Sequence, residues 1–239
     1  MIVPPEALLV GGVAAFYLLD SAMLLYADDL IFTESCGRWR WSAGSSWQLL
    51  RRNPYLPNPL SPDSMMLRAA WSLAPPERTE GERSSLRAAA EALVPLRRAV
   101  VVLLVLLLIG LPVYLYIGLD KPLVVLALAI YAVALVLAML LFRKRRILGL
   151  SKRECAELAL GGLACPPLAI NLVRKITLRM PVIKDPLAFA QGRLDPQEFG
   201  RLLRAARAWI DEELEWEAEA SARREALTRY RARIEALQV

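Results

Sequence analysis

The 239-residue chain contains no histidine. That absence removes Ser-His-Asp and Cys-His catalysis and most zinc catalysis. Cysteine is almost as scarce: Cys36, Cys155 and Cys165 are far apart and odd in number. Neither a zinc pattern nor a disulfide framework can be built from them. No basic run precedes the first apolar segment, which begins after Met1-Ile2-Val3-Pro4-Pro5-Glu6, so that segment reads as a retained span rather than a cleaved signal. Internal repeats and low-complexity tracts are also missing. No phosphate loop surrounds Gly161-Gly162, and no base stands near Ser45-Ser46.

What the chain has is hydrophobicity in runs. Apolar residues make up 56% and charged residues 23%, with 30 basic against 24 acidic side chains and a net charge of +6. Apolar runs beside charged stretches predict an integral membrane protein with water-facing appendages. The basic excess lies beside the runs, which points to anionic lipid headgroups rather than to nucleic acid.

Three runs are about long enough to cross a bilayer, which takes roughly 20 residues. The first is 7–27 and opens on a proline pair. The second is 99–118, where Gly110 and Pro112 predict a kink. The third is 123–142, joined to the second by only Leu119-Asp120-Lys121-Pro122. Arg97 and Arg98 precede the second run; Arg143, Lys144, Arg145 and Arg146 follow the third. The positive-inside rule places these flanks in the cytoplasm, the short link outside, and the N-terminus outside an inner membrane. A shorter apolar stretch, Leu158 to Val173, is broken by Pro166-Pro167 and followed by Arg174 and Lys175. Residues 151–185 are expected to form membrane-surface or re-entrant helices, opened by the capping box Ser151-x-x-Glu154.

The remaining regions are expected in the cytoplasm. Residues 28–76 read as a small β-rich insert, with Cys36-Gly37 as a hairpin turn between Leu30–Thr33 and Arg38–Trp41. Alternation puts Arg38 and Arg40 on one face and Trp39 and Trp41 on the other. Trp47–Leu50 and Met65–Arg68 are further candidate strands. Residues 77–98 read as a helix running into the second span. Residues 195–239 read as a long amphipathic helical arm, one helix or two, started by Asp195-Pro196-Gln197-Glu198. Its stripe of Phe199, Leu203, Ile210, Leu227 and Ile234 is expected to dock a partner, with alternating charge blocks setting register.

Asp20 is the sharpest single feature. It lies about 4–5 Å from the centre of the first span at 1.5 Å per residue. An aspartate there costs on the order of 2.5–3.5 kcal/mol on insertion scales. The other two spans offer only Tyr114, Tyr116 and Tyr131 as hydrogen-bonding partners, so a cation is expected from another subunit or a second copy. Gly11, Ala15 and Ala22 form the opposite, small-residue face. Ala127, Ala134 and Ala138 form such a face on the third span. Asp28-Asp29 with Glu34 lacks the spacing of a calcium loop. The Trp-Arg cluster (Trp39, Trp41, Trp47, Arg38, Arg40, Arg51, Arg52) suits an interfacial belt or a small packed core better than base stacking.

The sequence therefore leads to an α-helical membrane protein with no cofactor and no metal. The expected role is a non-catalytic accessory subunit of an inner-membrane complex. Two alternatives stand beside it: a component of lipid, proton or ion transport using Asp20, and an enzyme acting on lipid headgroups through Asp28 and Asp29.

Overall fold

The structure, a computed structural model, describes residues 4–71, 80–117, 120–218 and 221–237. It is mostly helical, with a small antiparallel sheet. Residues 72–76 of the expected β-rich insert, 77–79 of the expected cytoplasmic helix, 118 of the second span, 119 of the external link, and 219–220 and 238–239 of the expected arm lie outside the described residues.

Helix α1, Pro5–Ser21, starts at the proline pair, where a missing N–H costs nothing. It holds 17 residues, a length of about 26 Å. The apolar run continues to Ala27, but the helix does not. Met23–Leu25 is strand β1, paired antiparallel with β4, Asn53–Tyr55. The sequence reading of 7–27 as one helix is corrected here. Hydropathy alone cannot tell a short apolar strand from a continuing helix.

The sheet proper has the order β3-β2-β5, with β2 Asp29–Ser35, β3 Arg38–Ser42 and β5 Met65–Ala70, all antiparallel. Cys36 and Gly37 turn the β2–β3 hairpin with φ of 52° and 77°, the left-handed pair that a two-residue turn requires. Register places Phe32 beside both Trp41 and Leu67, and Leu30 beside Ala69, all on one face. Trp39 and Trp41 pack on the core of that face, and Arg38 and Arg40 are exposed, as alternation predicts. Trp47–Leu50 is not a strand; only an isolated bridge, Leu49 to Arg52, forms there.

Helix α2, Glu80–Val105, continues through a π-helical turn, Leu106–Gly110, into α3, Leu111–Ile117. The expected kink takes this form because Pro112 cannot donate a backbone hydrogen bond. The ladder widens, and Leu111 N–H reaches Leu106 O. Helix α4, Asp120–Lys144, follows. Leu86–Tyr116 and Leu123–Lys144 are long and apolar enough to cross a membrane, and only 28% and 22% of their apolar windows are buried within the chain. Each buries one stripe. On α4 it is Leu126, Ile130, Ala134, Leu137, Ala138 and Leu141, at the spacing of one helical face.

After α4 the chain doubles back. Helix α5, Lys152–Ala164, packs along α4. A four-residue turn of helix, α6 (Pro166–Ala169), lodges among α1, α2 and α4. Helix α7, Leu172–Leu178, returns toward β5. Gly162 permits this hairpin, since a Cβ there would stand 3.0 Å from the Ala169 Cβ. The Ser151–Glu154 capping box is formed in both directions.

The C-terminal region is not one long arm. Helices α8 (Pro186–Ala190), α9 (Pro196–Trp216) and α10 (Ala222–Ala236) fold onto the Phe32 face of the sheet. Phe189 meets Phe32 at 4.9 Å and Trp39 at 5.3 Å, and Trp71 stacks on Trp209 at 5.8 Å between ring centres. The residues expected to dock a partner are used inside the chain. Leu203, Ile210, Leu227 and Ile234 are buried in this core, with Phe199 at its edge. The charge blocks also find each other: Arg223 pairs with Glu213 and Glu217, and Arg231 with Asp211 at 3.3 Å. Sequence patterning identified a helix-pairing surface correctly but could not say that the partner is the next helix of the same chain.

Candidate functional site

Among the described residues, five of the six buried polar side chains gather at one place. They are Ser21 at the end of α1, Ser64 before β5, and Asn171, Arg174 and Thr177 on or beside α7. The side chains at 171 and 174, with Lys175, lie three to four positions apart on a helix and so share a face.

Arg174 is the centre of this junction. Its Nε donates to Ser64 Oγ at 3.3 Å. Nη1 donates to Ser21 Oγ at 3.4 Å and to Asn171 Oδ1 at 3.1 Å. Nη2 donates to the carbonyls of Asn58 and Ser61 at 2.6 and 2.7 Å. A guanidinium has five N–H donors, and all five are spent. Every acceptor is neutral, so loss of hydration pulls the Arg174 pKa down from its ordinary value. Asn171 is equally occupied: its amide donates to Tyr17 O and Asp20 Oδ2, and its oxygen accepts from Ser21 and Arg174. Thr177 Oγ1 accepts from Met66 N–H at 2.9 Å, tying β5 to α7. Tyr17 Oη donates to Pro59 O.

Asp20 belongs to this junction. Lys175 Nζ lies 2.7 Å from its Oδ1, and Asn171 Nδ2 lies 3.0 Å from its Oδ2. The cation expected from another subunit is supplied by α7 of the same chain. The sequence reading searched the other two spans and placed Arg174 and Lys175 at lipid headgroups. It missed that the proline-broken hairpin carries Asn171, Arg174 and Lys175 to the end of α1. The signal was present as an Asn-x-x-Arg-Lys helical face after an apolar stretch.

The other candidates disperse. Asp29 is buried and held by Arg68 through two contacts, 3.0 Å from Nε and 2.6 Å from Nη2. Glu34, at the far end of β2, pairs with Arg97 of α2 and accepts from Gly37 N–H. Among the described residues, no group of three or more His, Cys, Asp or Glu side chains is placed to hold a metal ion. Gly11, Ala15 and Ala22 are exposed, and a Cβ at Gly11 would meet nothing within 4 Å. On α4, Ala134 and Ala138 are buried in the chain and Ala127 is not. Arg98, Arg143 and Arg146 are exposed.

Beside the junction a groove of about 440 Å³ opens between α5 and α7. Leu158, Gly161, Leu168 and Leu172 line its apolar part, and Lys175, Arg179 and Glu157 its polar rim. Lys175 thus faces Asp20 on one side and the groove on the other. A Cβ at Gly161 would meet nothing within 4 Å, so that glycine leaves the groove open while Gly162 closes the hairpin.

Comparison with protein-family models, with curated proteins and with solved structures finds no match, so the function of this chain has to be argued from these residues.

Proposed function

We propose that the chain is a non-catalytic accessory subunit of an inner-membrane protein complex. In this reading α1, α2 with α3, and α4 cross the bilayer with the N-terminus outside. The α5–α7 hairpin is re-entrant from the cytoplasmic side, where the basic flanks Arg98 and Arg143–Arg146 meet anionic headgroups. The sheet and helices α8–α10 form a cytoplasmic module held against the bundle by Arg174, Thr177 and the Arg97–Glu34 pair.

The observation that carries this reading is how the polar groups are spent. The richest buried polar cluster has each donor of Arg174 and each hydrogen-bonding position of Asn171 occupied by the chain itself. Such a cluster braces elements rather than receiving a substrate. The small-residue face of α1, by contrast, has nothing packed on it and suits the close approach of a partner helix.

A photo-crosslinking residue in place of Gly11 tests this in native membranes. The expected result is one discrete adduct with a different membrane protein. Adducts only with lipid, in a protein that purifies alone and monodisperse in mild detergent, would overturn it. The α5–α7 groove favours a second reading, a component of a lipid transport system, because it joins an apolar channel to a charged rim.

A further inference from the structure

The segment between β3 and β5 presents large apolar side chains to the outside at a density found, among the described residues, only here and on the long apolar helices. Trp47 is 60% exposed, Leu50 85% and Leu60 78%, with Leu49 and Leu56 also exposed. The tip is a two-residue turn: Leu49 N–H donates to Arg52 O at 2.8 Å, and Arg52 N–H donates back to Leu49 O at 3.0 Å. Its two central residues, Leu50 and Arg51, have φ of 53° and 61°. That conformation favours asparagine and glycine, and a leucine there is an outlier of the kind that marks functional positions.

Two further observations say what covers this surface. First, its depth is fixed. Tyr17, one turn before the end of α1, donates to Pro59 O, and Arg174 holds the Asn58 and Ser61 carbonyls. The Asn58–Ser61 turn therefore lies at the last turn of α1, with Leu60 exposed upon it. Second, its charge has one sign. From Cys36 to Pro62 the sequence has no acid and four arginines, Arg38, Arg40, Arg51 and Arg52. Arg52 sits 4.4 Å over the Tyr26 ring, itself half exposed beside β1.

We propose that the loop from Trp47 to Leu60 is a membrane-interface wedge. Trp47, Leu50, Leu56 and Leu60 enter the boundary between headgroups and acyl chains of the cytoplasmic leaflet, and Arg51 and Arg52 meet lipid phosphates. Tryptophan and arginine together at the level of the headgroups are what that boundary selects. The Trp-Arg cluster thus divides: Trp39 and Trp41 serve the module's core, and Trp47 with Arg51 and Arg52 serves the bilayer. The wedge fixes how the module lies on the membrane. It rests on the reading of the long apolar helices as spans.

The full chain, with Cys36 and Cys165 replaced by serine, is labelled with an environment-sensitive fluorophore at Leu50→Cys or Leu128→Cys. A third sample carries the label at Thr228→Cys, exposed on α10. Each is reconstituted into phosphatidylcholine–phosphatidylglycerol vesicles containing doxyl-labelled lipid. The expected result is quenching at positions 50 and 128 at least about threefold that at position 228, weaker at 50 when phosphatidylglycerol is omitted. Quenching at 128 without quenching at 50 would overturn the wedge alone and leave the loop as a protein-docking surface. Absence of quenching at 128 would overturn the spans on which it rests.

Discussion

The helical bundle and the sheet-based module are both rich in leucine and alanine, yet they dispose of them in opposite ways. In the module, α9 and α10 are amphipathic, and their apolar stripes close on the sheet. In the bundle, α4 buries one stripe and leaves Leu128, Leu135, Met139 and Phe142 outside. A helix apolar on every side, with most of that surface uncovered, asks for an apolar solvent; a helix with one covered stripe does not. The two regions meet at a polar junction, because the ends of α1 and α7 cannot leave backbone and side-chain polar groups unpaired where water is scarce.

The largest way to break this arrangement is at the junction. Arg174→Met leaves two backbone carbonyls and the Ser21, Ser64 and Asn171 oxygens short of a donor. The expected loss is on the order of 3–5 kcal/mol in detergent unfolding. Arg174→Lys should fail to restore it, since three donors on a flexible stem cannot replace a planar five-donor fork. A lysine variant of native stability would show that the fork is not what holds the junction.

Next in size is the contrast between the regions. Ile210→Ala in the module core should cost about 2–5 kcal/mol. Leu128→Ala, at a position 67% exposed on α4, should change detergent stability by no more than about 0.5 kcal/mol. Equal losses at the two positions would mean that α4 is packed on all sides, and the contrast would collapse.

Smaller again is the Asp20–Lys175 pair. Asp20→Asn and Lys175→Met should each cost about 1 kcal/mol, with a coupling near 1 kcal/mol in the double-mutant cycle. Assembly should be unchanged in Asp20→Asn. Loss of a partner or of activity with normal folding would return Asp20 to a functional role.

The smallest effect is at the head of α5. Hydrogen bonds from the Ser151 backbone and side chain hold the Glu154 carboxyl below its ordinary value. A depressed carboxyl stabilises the fold above the unfolded-state pKa and loses that contribution as pH falls through the folded value. Ser151→Ala should therefore move the Glu154 titration, followed by NMR, up toward the ordinary carboxylate range. An unmoved titration would show that the backbone N–H of residue 151 holds it without the hydroxyl.

Much of the fold was legible in the sequence. The β2–β3 hairpin followed from Cys36-Gly37 and the Arg-Trp alternation of β3, the break near Gly110 from Pro112, the start of α5 from its capping box, and the start of α9 from Asp195-Pro196. These are local effects, set by backbone sterics and hydrogen bonds within a few residues. The error at Met23–Leu25 was also local in origin, since an apolar triplet fits a helix until a partner strand claims it.

The site was the least legible part. Asp20 was singled out as costly on the reading of 7–27 as one helix; with α1 ending at Ser21 it stands at the helix end instead, and its partners lie 151 and 155 positions further along the chain, at Asn171 and Lys175. No periodicity records a contact of that separation. The same holds for the C-terminal stripe, whose spacing announced a docking surface but not that the dock was the chain's own sheet. By itself, the sequence determined the apolar runs, their charged flanks, the turns and the caps, because each depends on near neighbours and on the solvent that a composition tolerates. Only the tertiary structure decided which acid meets which base, which apolar face is covered and which is left exposed, because those depend on distant segments competing for the same space.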